Sequence, residues 1–346
     1  MRILMLSARY FFSGASVVME NLSKSLTLSG HDVSIGAFQF KDMPSIAGVP
    51  IVMLGAREVL SRRALAGAFD IIHNHQPSSG FLASLTDVPF LYHYHGAPSQ
   101  SLSAVHFTNL VLNRLQMRTY DRVISVSESG AYELKRLFNA KKVDVVYNGV
   151  DVQRFGGQSA PSLRRGDPQL LFVGTLYGHK HLELLVRATE ILAKVYPNIH
   201  LSVVGTGPRL NYLENCVRSI GIDRHVTFWG RASEDDLPRH YASCDAYVSP
   251  SEWELFDMPL LEAMASGKPV VASSIPVHLE LARKSNAIMI FPRGDPGGLC
   301  ERVSQVLRHP EDLRRNGLDF ARQHDWPVVA SRITEIYRDV LGARGR

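Results

Sequence analysis

PSEWELFDMPLLEAMASGKPVV, residues 250–271, places two glutamates, Glu254 and Glu262, eight positions apart across a predicted loop and helix start. Pro259 suits the first turn of a helix, and Gly267 is typical of a helix end before the strand that follows. The free N–H groups and the dipole of such a helix start favour an anion, and a diphosphate satisfies both. The stretch therefore predicts a strand end, an anion-binding helix start and a second strand.

The chain on both sides of this stretch alternates short apolar strands with helical segments. A βαβ unit is predicted over residues 2–38, followed by strands within 51–54, 69–75, 89–96, 122–127 and 143–150 and a helix at 106–120. Residues 155–169 break the periodicity with Gly, Ser, Pro and charged residues, after which the alternation restarts. Continuous apolar strands with crossover helices indicate parallel sheets covered on both faces. The pattern predicts an α/β protein with two doubly wound parallel sheets.

These patterns also predict domain boundaries. We expect a first domain at residues 1–157, a linker at 158–168 and a second domain at 169–327. A final helix at about 328–346 follows a Trp-Pro pair and is expected to pack back on the first domain. Two such domains would bury their ligand between them, facing the carboxyl ends of the strands.

Composition and charge limit the class of protein. The 346 residues, 45% hydrophobic and 21% charged, are typical of a soluble globular chain with two domains. No apolar run reaches the roughly 18 to 20 residues of a membrane helix, the first residues read as a strand, and three scattered cysteines indicate a reducing compartment. The net charge of +5 suits an anionic ligand or membrane surface, but no basic-aromatic pattern supports nucleic acid. We expect a cytoplasmic protein that does not bind nucleic acid.

Eight motifs along the chain together resemble one family. They are GHDV at 30–33, FDIIHNH at 69–75, HGAP at 95–98, VYNGVDVQRF at 146–155, LFVGTL with a following lysine at 171–180, VVGTGP at 203–208, YVSPS at 247–251 and ELFDMPLLEAMASGKPVV at 254–271. With them the chain resembles the retaining glycosyltransferases of family 4, the glycosyl transferases group 1. The resemblance implies the GT-B fold, with two facing Rossmann-like domains and an interdomain cleft.

The resemblance also implies an activity and roles for four residues. The expected reaction moves a sugar from a nucleoside diphosphate sugar to a sugar or lipid-linked acceptor, with retention and without cofactor or metal. Glu254 would hold hydroxyls of the donor sugar and Glu262 the ribose. Lys180 matches the phosphate-binding lysine, and His95 matches a cleft histidine near the donor sugar and the acceptor. The implied catalytic residues are His95, Lys180 and Glu254.

Three positions depart from the family's donor-binding pattern. The family often has Arg where Thr175 stands, and its GFG appears here as LFD, with Leu255 and Asp257 at the glycine positions. Asp tolerates a left-handed conformation, but its charge beside a diphosphate would repel. The implied donor-binding residues are Gly14, Thr175, Gly205, Gly207, Phe256, Asp257, Met258, Pro259, Leu260 and Glu262.

The glycines in this set have their own physical interpretation. Gly14 lies between the first strand and the first helix, where it permits close approach of a ligand to the backbone, although a plain tight turn explains it equally well. Gly205 and Gly207 are expected beneath the base or phosphates of the donor. Neither SGASVV nor GTGPRL supplies Gly-x-Gly-x-x-Gly, which disfavours a dinucleotide-binding dehydrogenase.

Four histidines raise a separate hypothesis. His73 and His75 share one face of a predicted strand, as do His93 and His95. Four imidazoles could bind zinc, but no carboxylate or cysteine completes a familiar ligand spacing. We therefore expect no metal site.

Two other functions and one partner are kept as alternatives. Thr175 and Asp257 are consistent with a nonprocessing GT-B binding or partner subunit, and a GT-B sugar-nucleotide epimerase would share donor binding without transfer. Peripheral membrane contact is a hypothesis that rests on the apolar helix at 105–120, which Arg114 and Arg118 interrupt.

Overall fold

The computed structural model describes residues 1–11, 13–44, 46, 48–55, 62–96, 114–158 and 160–345, with the backbone alone at 62–64 and 82–84. The chain divides into two compact units, one made of Met1–Gly149 with Trp326–Arg346 and the other of Val150–Asp325. Most of the predicted helix at 106–120, with the membrane hypothesis that it carries, lies outside the described residues.

The first unit contains a parallel sheet of seven strands in the order β3-β2-β1-β4-β5-β6-β7. The strands are β1 Arg2–Tyr10, β2 Asp32–Phe40, β3 Ile51–Met53, β4 Ile71–Asn74, β5 Phe90–Tyr94, β6 Arg122–Ser125 and β7 Val143–Val145. The helices between them include α1 Gly14–Leu28, α2 Arg62–Ala68 and α3 Glu128–Phe138, and a 3-10 helix occupies Pro77–Ser84. Every residue of β4 and β5 is buried, as expected for central parallel strands.

The second unit contains a parallel sheet of six strands in the order β10-β9-β8-β11-β12-β13. The strands are β8 Gln169–Val173, β9 His200–Val204, β10 Val226–Gly230, β11 Ala246–Ser249, β12 Val270–Ser273 and β13 Ile288–Phe291. The helices are α4 Val152–Phe155, α5 Leu182–Ala193, α6 Leu210–Ser219, α7 Leu237–Ser243, α8 Met258–Ala265, α9 Pro276–Ser285, α10 Pro296–Arg308 and α11 Glu311–Arg322. Its core joins apolar residues of β8, β9, α5 and α10. The predicted fold class is thereby confirmed.

The last helix, α12 Trp326–Ala343, belongs to the first unit and packs against α1. His31 Nε2 lies 3.3 Å from Thr334 Oγ1, and the Arg344 guanidinium pairs with Asp121 at 2.7 Å. Trp326 fills the space beside Gly149, where an added Cβ would come within 2.5 Å of the indole.

The division between the units falls at Gly149 instead of the predicted 157, because the residues after it pack on the second unit. α4 contacts α8, and the Val150 amide donates to the His324 carbonyl at 2.9 Å. The predicted linker contains the 3-10 turn Pro161–Leu163, which packs against α7. Arg164 then pairs with Asp245 at 2.7 Å. The glycine, serine and proline residues of this segment therefore form turns that pack on the second unit.

The strand orders fix where ligand-binding side chains gather. In the first sheet the order reverses between β1 and β4, and in the second between β8 and β11. Connections from two such neighbouring strands diverge, so a crevice opens at their carboxyl ends, where α/β sheets bind ligands. In the second unit that edge carries the loops after β8 and β11.

Candidate active site

Lys180 and Glu254, predicted from separate motifs, form a buried ion pair in the second unit. Lys180 ends a 3-10 turn, Gly178–Lys180, that follows β8, and Glu254 lies in the loop after β11. Lys180 Nζ is 2.5 Å from Glu254 Oε1, and the two side chains are 11% and 10% exposed. The Ser251 hydroxyl donates to the same carboxylate oxygen at 2.8 Å. The pair thus lies at the strand-order reversal of the second sheet.

The charge on Lys180 is stabilised by its surroundings. Burial on its own lowers the pKa of Lys180, but the carboxylates of Glu254 and Asp257 outweigh it and hold that pKa above its usual value. The loops that carry the pair are also joined through the backbone, since the Glu252 amide donates to the His179 carbonyl at 2.7 Å. The site therefore holds a fixed ammonium group at the carboxyl ends of two neighbouring strands.

Asp257 directs its carboxylate into the protein. The side chain is 1% exposed, accepts a hydrogen bond from Ser249 Oγ at 2.5 Å, and lies 3.2 Å from His278 Nε2. Burial would raise the pKa of Asp257, but the hydrogen bond with His278 and the charge of Lys180 leave it lowered. A ligand would therefore meet the backbone of Asp257, because its carboxylate is buried and Oδ2 is hydrogen-bonded inside the protein.

Helix α8 begins directly after Asp257, as predicted. Pro259 lies in its first turn, and the helix ends before Gly267, which has a φ of +65°. Leu260 is fully buried and Phe256 is 9% exposed, whereas Met258 and Pro259 are half-buried. The predicted donor-binding segment thus divides into residues that anchor the helix and residues that remain accessible at its start.

Glu262 lies on α8 in an environment different from that of Glu254. The Tyr241 hydroxyl, on α7, donates to Glu262 Oε2 at 2.6 Å. Burial raises the pKa of Glu262 to about 7, against the lowering effects of the Tyr241 hydrogen bond and the Arg154 charge. Glu254 is therefore paired with a cation, whereas Glu262 accepts a hydrogen bond from a phenol and has a raised pKa.

Gly205 and Gly207 are required by packing. An added Cβ on Gly205, whose φ is +139°, would lie 1.9 Å from the Gly174 carbonyl oxygen. On Gly207 it would lie 2.6 Å from the Leu176 nitrogen. The loops after β8 and β9 therefore touch backbone to backbone, which supports the Lys180 turn whether or not a ligand is bound. Thr175, in the first of these loops, is exposed.

Sequence reasoning missed Arg209 and His278. Arg209 follows the GTGP motif, pairs with Glu183 at 3.0 Å and lies close to Gly178 at the start of the Lys180 turn. Its position directly after a glycine loop at a strand end was a signal that could have identified it. His278 lies on α9, and nothing in the local sequence connects it with Asp257.

Gly14 and His95 belong to the first unit, whereas the other predicted site residues belong to the second. Gly14 begins α1 behind the Ser13–Ser16 capping box, and an added Cβ there would meet nothing within 4 Å. His95 follows β5, its Nε2 lies 2.9 Å from His75 Nδ1, and burial lowers its pKa to about 3. His95 is therefore a neutral imidazole at pH 7 that can offer a hydrogen bond.

Among the described residues, no helix is both long enough and apolar enough to span a bilayer.

Two family models match the chain. Residues 158–323 match the glycosyl transferases group 1, and residues 12–154 match glycosyltransferase family 4. An uncharacterized glycosyltransferase of Methanocaldococcus jannaschii is 26% identical over the whole of both chains. A glycogen synthase of Mycobacterium tuberculosis is 30% identical, over 78% of this chain and 68% of the relative.

The solved structure of HepE from Anabaena in complex with UDP is similar in fold. It superposes with a TM-score of 0.80 at 20% identity, covering 98% of this chain and all of the other. The two family models together match 309 of the 346 residues, 143 at 12–154 and 166 at 158–323. The chain belongs to the GT-B glycosyltransferases of group 1.

Proposed function

We propose that this protein transfers a sugar from a nucleoside diphosphate sugar to an acceptor hydroxyl, with retention, in glycan, glycolipid or polysaccharide synthesis. The observation that carries the proposal is the buried Lys180–Glu254 pair at the strand-order reversal of the second sheet. In α/β sheets, ligands bind at the carboxyl ends of the strands where the strand order reverses. At this position the ammonium group of Lys180 can bind phosphate, and the carboxylate of Glu254 can accept hydrogen bonds from hydroxyls.

The leaving nucleoside diphosphate sets the main chemical requirement. Negative charge builds on it as the glycosidic bond breaks, and fixed positive groups stabilise that charge most effectively in a dry site. Lys180 supplies a buried ammonium group, and the start of α8 supplies the positive end of a helix dipole. UDP bound to the HepE protein supports a nucleotide in this role.

The two glutamates receive separate roles in the proposal. Glu254, beside Lys180, binds hydroxyls of the transferred sugar, and Glu262 binds the ribose. Retention follows the front-face scheme that the family resemblance implies, in which the leaving phosphate accepts the acceptor proton and no protein nucleophile is needed. The neutral ring of His95 contributes a hydrogen bond on the acceptor side.

Lys180 should be needed for diphosphate binding. We expect Lys180→Ala to weaken UDP binding by about 1.5 to 3 kcal/mol, the range for a hydrogen bond to a charged group, or roughly 10- to 150-fold in Kd. Isothermal titration calorimetry with UDP, GDP and ADP measures this loss and identifies the base. Lys194→Ala, an exposed lysine after α5, is the control and should bind as wild type. Equal affinities for the two variants would remove Lys180 from the site.

Glu254→Gln and Glu262→Gln should have different kinetic effects. Glu254→Gln should lower kcat about 5- to 150-fold, the equivalent of 1 to 3 kcal/mol, because its contact lies beside the breaking bond. It should leave the diphosphate affinity equal or higher, since Lys180 loses its internal partner. Glu262→Gln should raise the donor KM and weaken UDP itself, because both ligands contain the ribose. Exposed Glu252→Gln is the control, and identical profiles for the two buried glutamates would contradict separate roles.

The raised pKa of Glu262 predicts a pH-dependent stability. Its folded pKa of about 7 exceeds the ordinary value of 4.5, so the folded state holds the proton more tightly. The stabilisation is complete below about pH 4.5 and is lost as the pH rises through 7. Between pH 5 and 8, the free energy of unfolding of the wild type should therefore fall relative to Glu262→Gln, by at most about 1.4 kcal/mol per pH unit.

Urea denaturation at pH 5, 6, 7 and 8 measures this difference. Glu214→Gln, a half-exposed glutamate on α6, is the control and should parallel the wild type. If the wild type and Glu262→Gln keep a constant difference across this range, the carboxyl group ionises as an ordinary one.

Transfer should not require a divalent ion, because Lys180 and the α8 start meet the phosphate charge. We expect equal turnover in excess EDTA and in millimolar Mg²⁺, measured as acceptor product by mass spectrometry. Loss of turnover in EDTA that Mg²⁺ restores would refute this part of the proposal. Diphosphate binding without any transferred product would favour a nonprocessing binding subunit.

A further inference from the structure

Four histidines form a compact block in the first unit. His73 and His75 come from the end of β4, and His93 and His95 from the end of β5, the adjacent parallel strand. The rings stack in a two-by-two arrangement. Centroid distances are 4.6 Å for His73–His75, 4.4 Å for His93–His95, 5.1 Å for His73–His93 and 5.1 Å for His75–His95.

Three of these histidines bring ring nitrogens together. One nitrogen each of His73, His75 and His93 lies within 4.8 Å of the other two. The three side chains are 0%, 4% and 2% exposed. This is the only such group of three or more potential metal ligands within the described part of the chain.

The hydrogen bonds of the block leave the Nε2 atoms of His75 and His93 for ligation. His73 Nδ1 lies 2.5 Å from the Tyr337 hydroxyl, and His75 Nδ1 lies 2.9 Å from His95 Nε2. The third Nε2 atom, that of His73, lies 3.2 Å from His93 Nδ1. Thus Nδ1 of His73 and of His75 has a partner outside the three ligand candidates, whereas His93 Nδ1 contacts a nitrogen within the group.

Two of the Nε2 atoms are unexplained by the folded structure alone. Those of His75 and His93 are buried and have no hydrogen-bond partner among the described residues. A buried polar atom without a partner is destabilising, so a hydrogen-bonded ladder of histidines does not account for the block. A metal ion that accepts one lone pair from each of these two Nε2 atoms would account for it.

We propose that His73, His75 and His93 bind a transition-metal ion, with Zn²⁺ as the expected occupant. Three imidazoles and one water form a known tetrahedral zinc site, and imidazole nitrogen selects Zn²⁺ over Mg²⁺ or Ca²⁺, which prefer oxygen. In such a site, neighbouring ligand nitrogens lie about 3.4 Å apart, given Zn–N bonds of about 2.0 to 2.1 Å. From separations of up to 4.8 Å, each pair of nitrogens therefore needs to approach by about 1.4 Å at most. His73 Nε2 would exchange its contact with His93 for the metal.

The hydrogen-bond partners of two of the rings suit a metal site. The Nδ1 partners, Tyr337 and His95, would orient the rings of His73 and His75 from behind, as partners of metal-bound histidines do.

The site has a structural consequence for the first unit. His75 lines a small cleft together with Ser7, Arg9, Ser13 and Gln76. Tyr337 lies on α12, so a metal that fixes His73 would also hold the C-terminal helix against the ends of β4 and β5. The ion is expected to stabilise the first unit.

The test uses the full chain after treatment with a chelator, with Co²⁺ as a spectroscopic probe. Titration should give one Co²⁺ per chain with the visible absorption of a tetrahedral nitrogen site, and Zn²⁺ should displace it. Zn²⁺ should also raise the Tm as its concentration increases above Kd. Absence of visible bands together with an unchanged Tm in Zn²⁺ would overturn the proposal.

Variants separate this site from adventitious binding. His75→Asn and His93→Asn should each weaken Co²⁺ binding by more than the roughly 10- to 100-fold expected for loss of a supporting partner, and Tyr337→Phe should fall within that range. His309→Asn, an exposed histidine after α10, is the control and should bind as wild type. If both ligand variants keep wild-type affinity, the metal binds elsewhere and the proposal fails. If a ligand variant does not fold, the wild-type Co²⁺ spectrum and Tyr337→Phe still decide.

Discussion

The reversal of strand order in the second sheet is the constraint on which the candidate site depends. β8 leads outward to β9 and β10, whereas β11 continues to β12 and β13 on the other side. The connections after β8 and β11 therefore diverge and leave a crevice at their carboxyl ends. Lys180 ends the turn after β8 and Glu254 lies in the loop after β11, so two residues 74 positions apart become an ion pair. Gly205 lies in close backbone contact with Gly174, so the loops after β8 and β9 pack directly against each other.

The ion pair at this position is better suited to function than to holding the fold. A buried pair recovers by attraction about what it loses by leaving water, so its net contribution to stability is small. Each partner alone would nevertheless be costly to bury, which keeps both ordered while no ligand is bound. In the proposed function, a diphosphate at Lys180 would compete with Glu254 for the ammonium group. A displaced Glu254 would be able to accept hydrogen bonds from sugar hydroxyls, which would couple the binding of phosphate and of sugar.

Sequence patterns predicted the two parallel sheets and the start of α8, whereas the resemblance to the family pointed to the residues that form the ion pair. Apolar periodicity reports which face of an element is buried, and glycine and proline report where it turns, so these features are readable locally. Contacts between residues that only the packing of distant elements brings together cannot be read from the local sequence. His278 reaches Asp257 from another helix, and Tyr337 reaches His73 across 264 positions. The unit boundary was misplaced for a similar reason, because the composition of residues 155–169 does not reveal that Arg164 pairs with Asp245.

The hydrogen-bond partners of Asp257 explain how the chain accommodates an aspartate where the family has glycine. A carboxylate in a glycine position beside a diphosphate would repel the ligand if it pointed outward, but Ser249 and His278 hold it inside. Its charge still acts on Lys180, which faces two carboxylates with a single ammonium group. In the proposed function, a diphosphate at Lys180 would also meet the N-terminal end of α8, directly after Asp257, whose free N–H groups would add donors. The inward carboxylate leaves that helix start, with half-buried Met258 and Pro259, accessible.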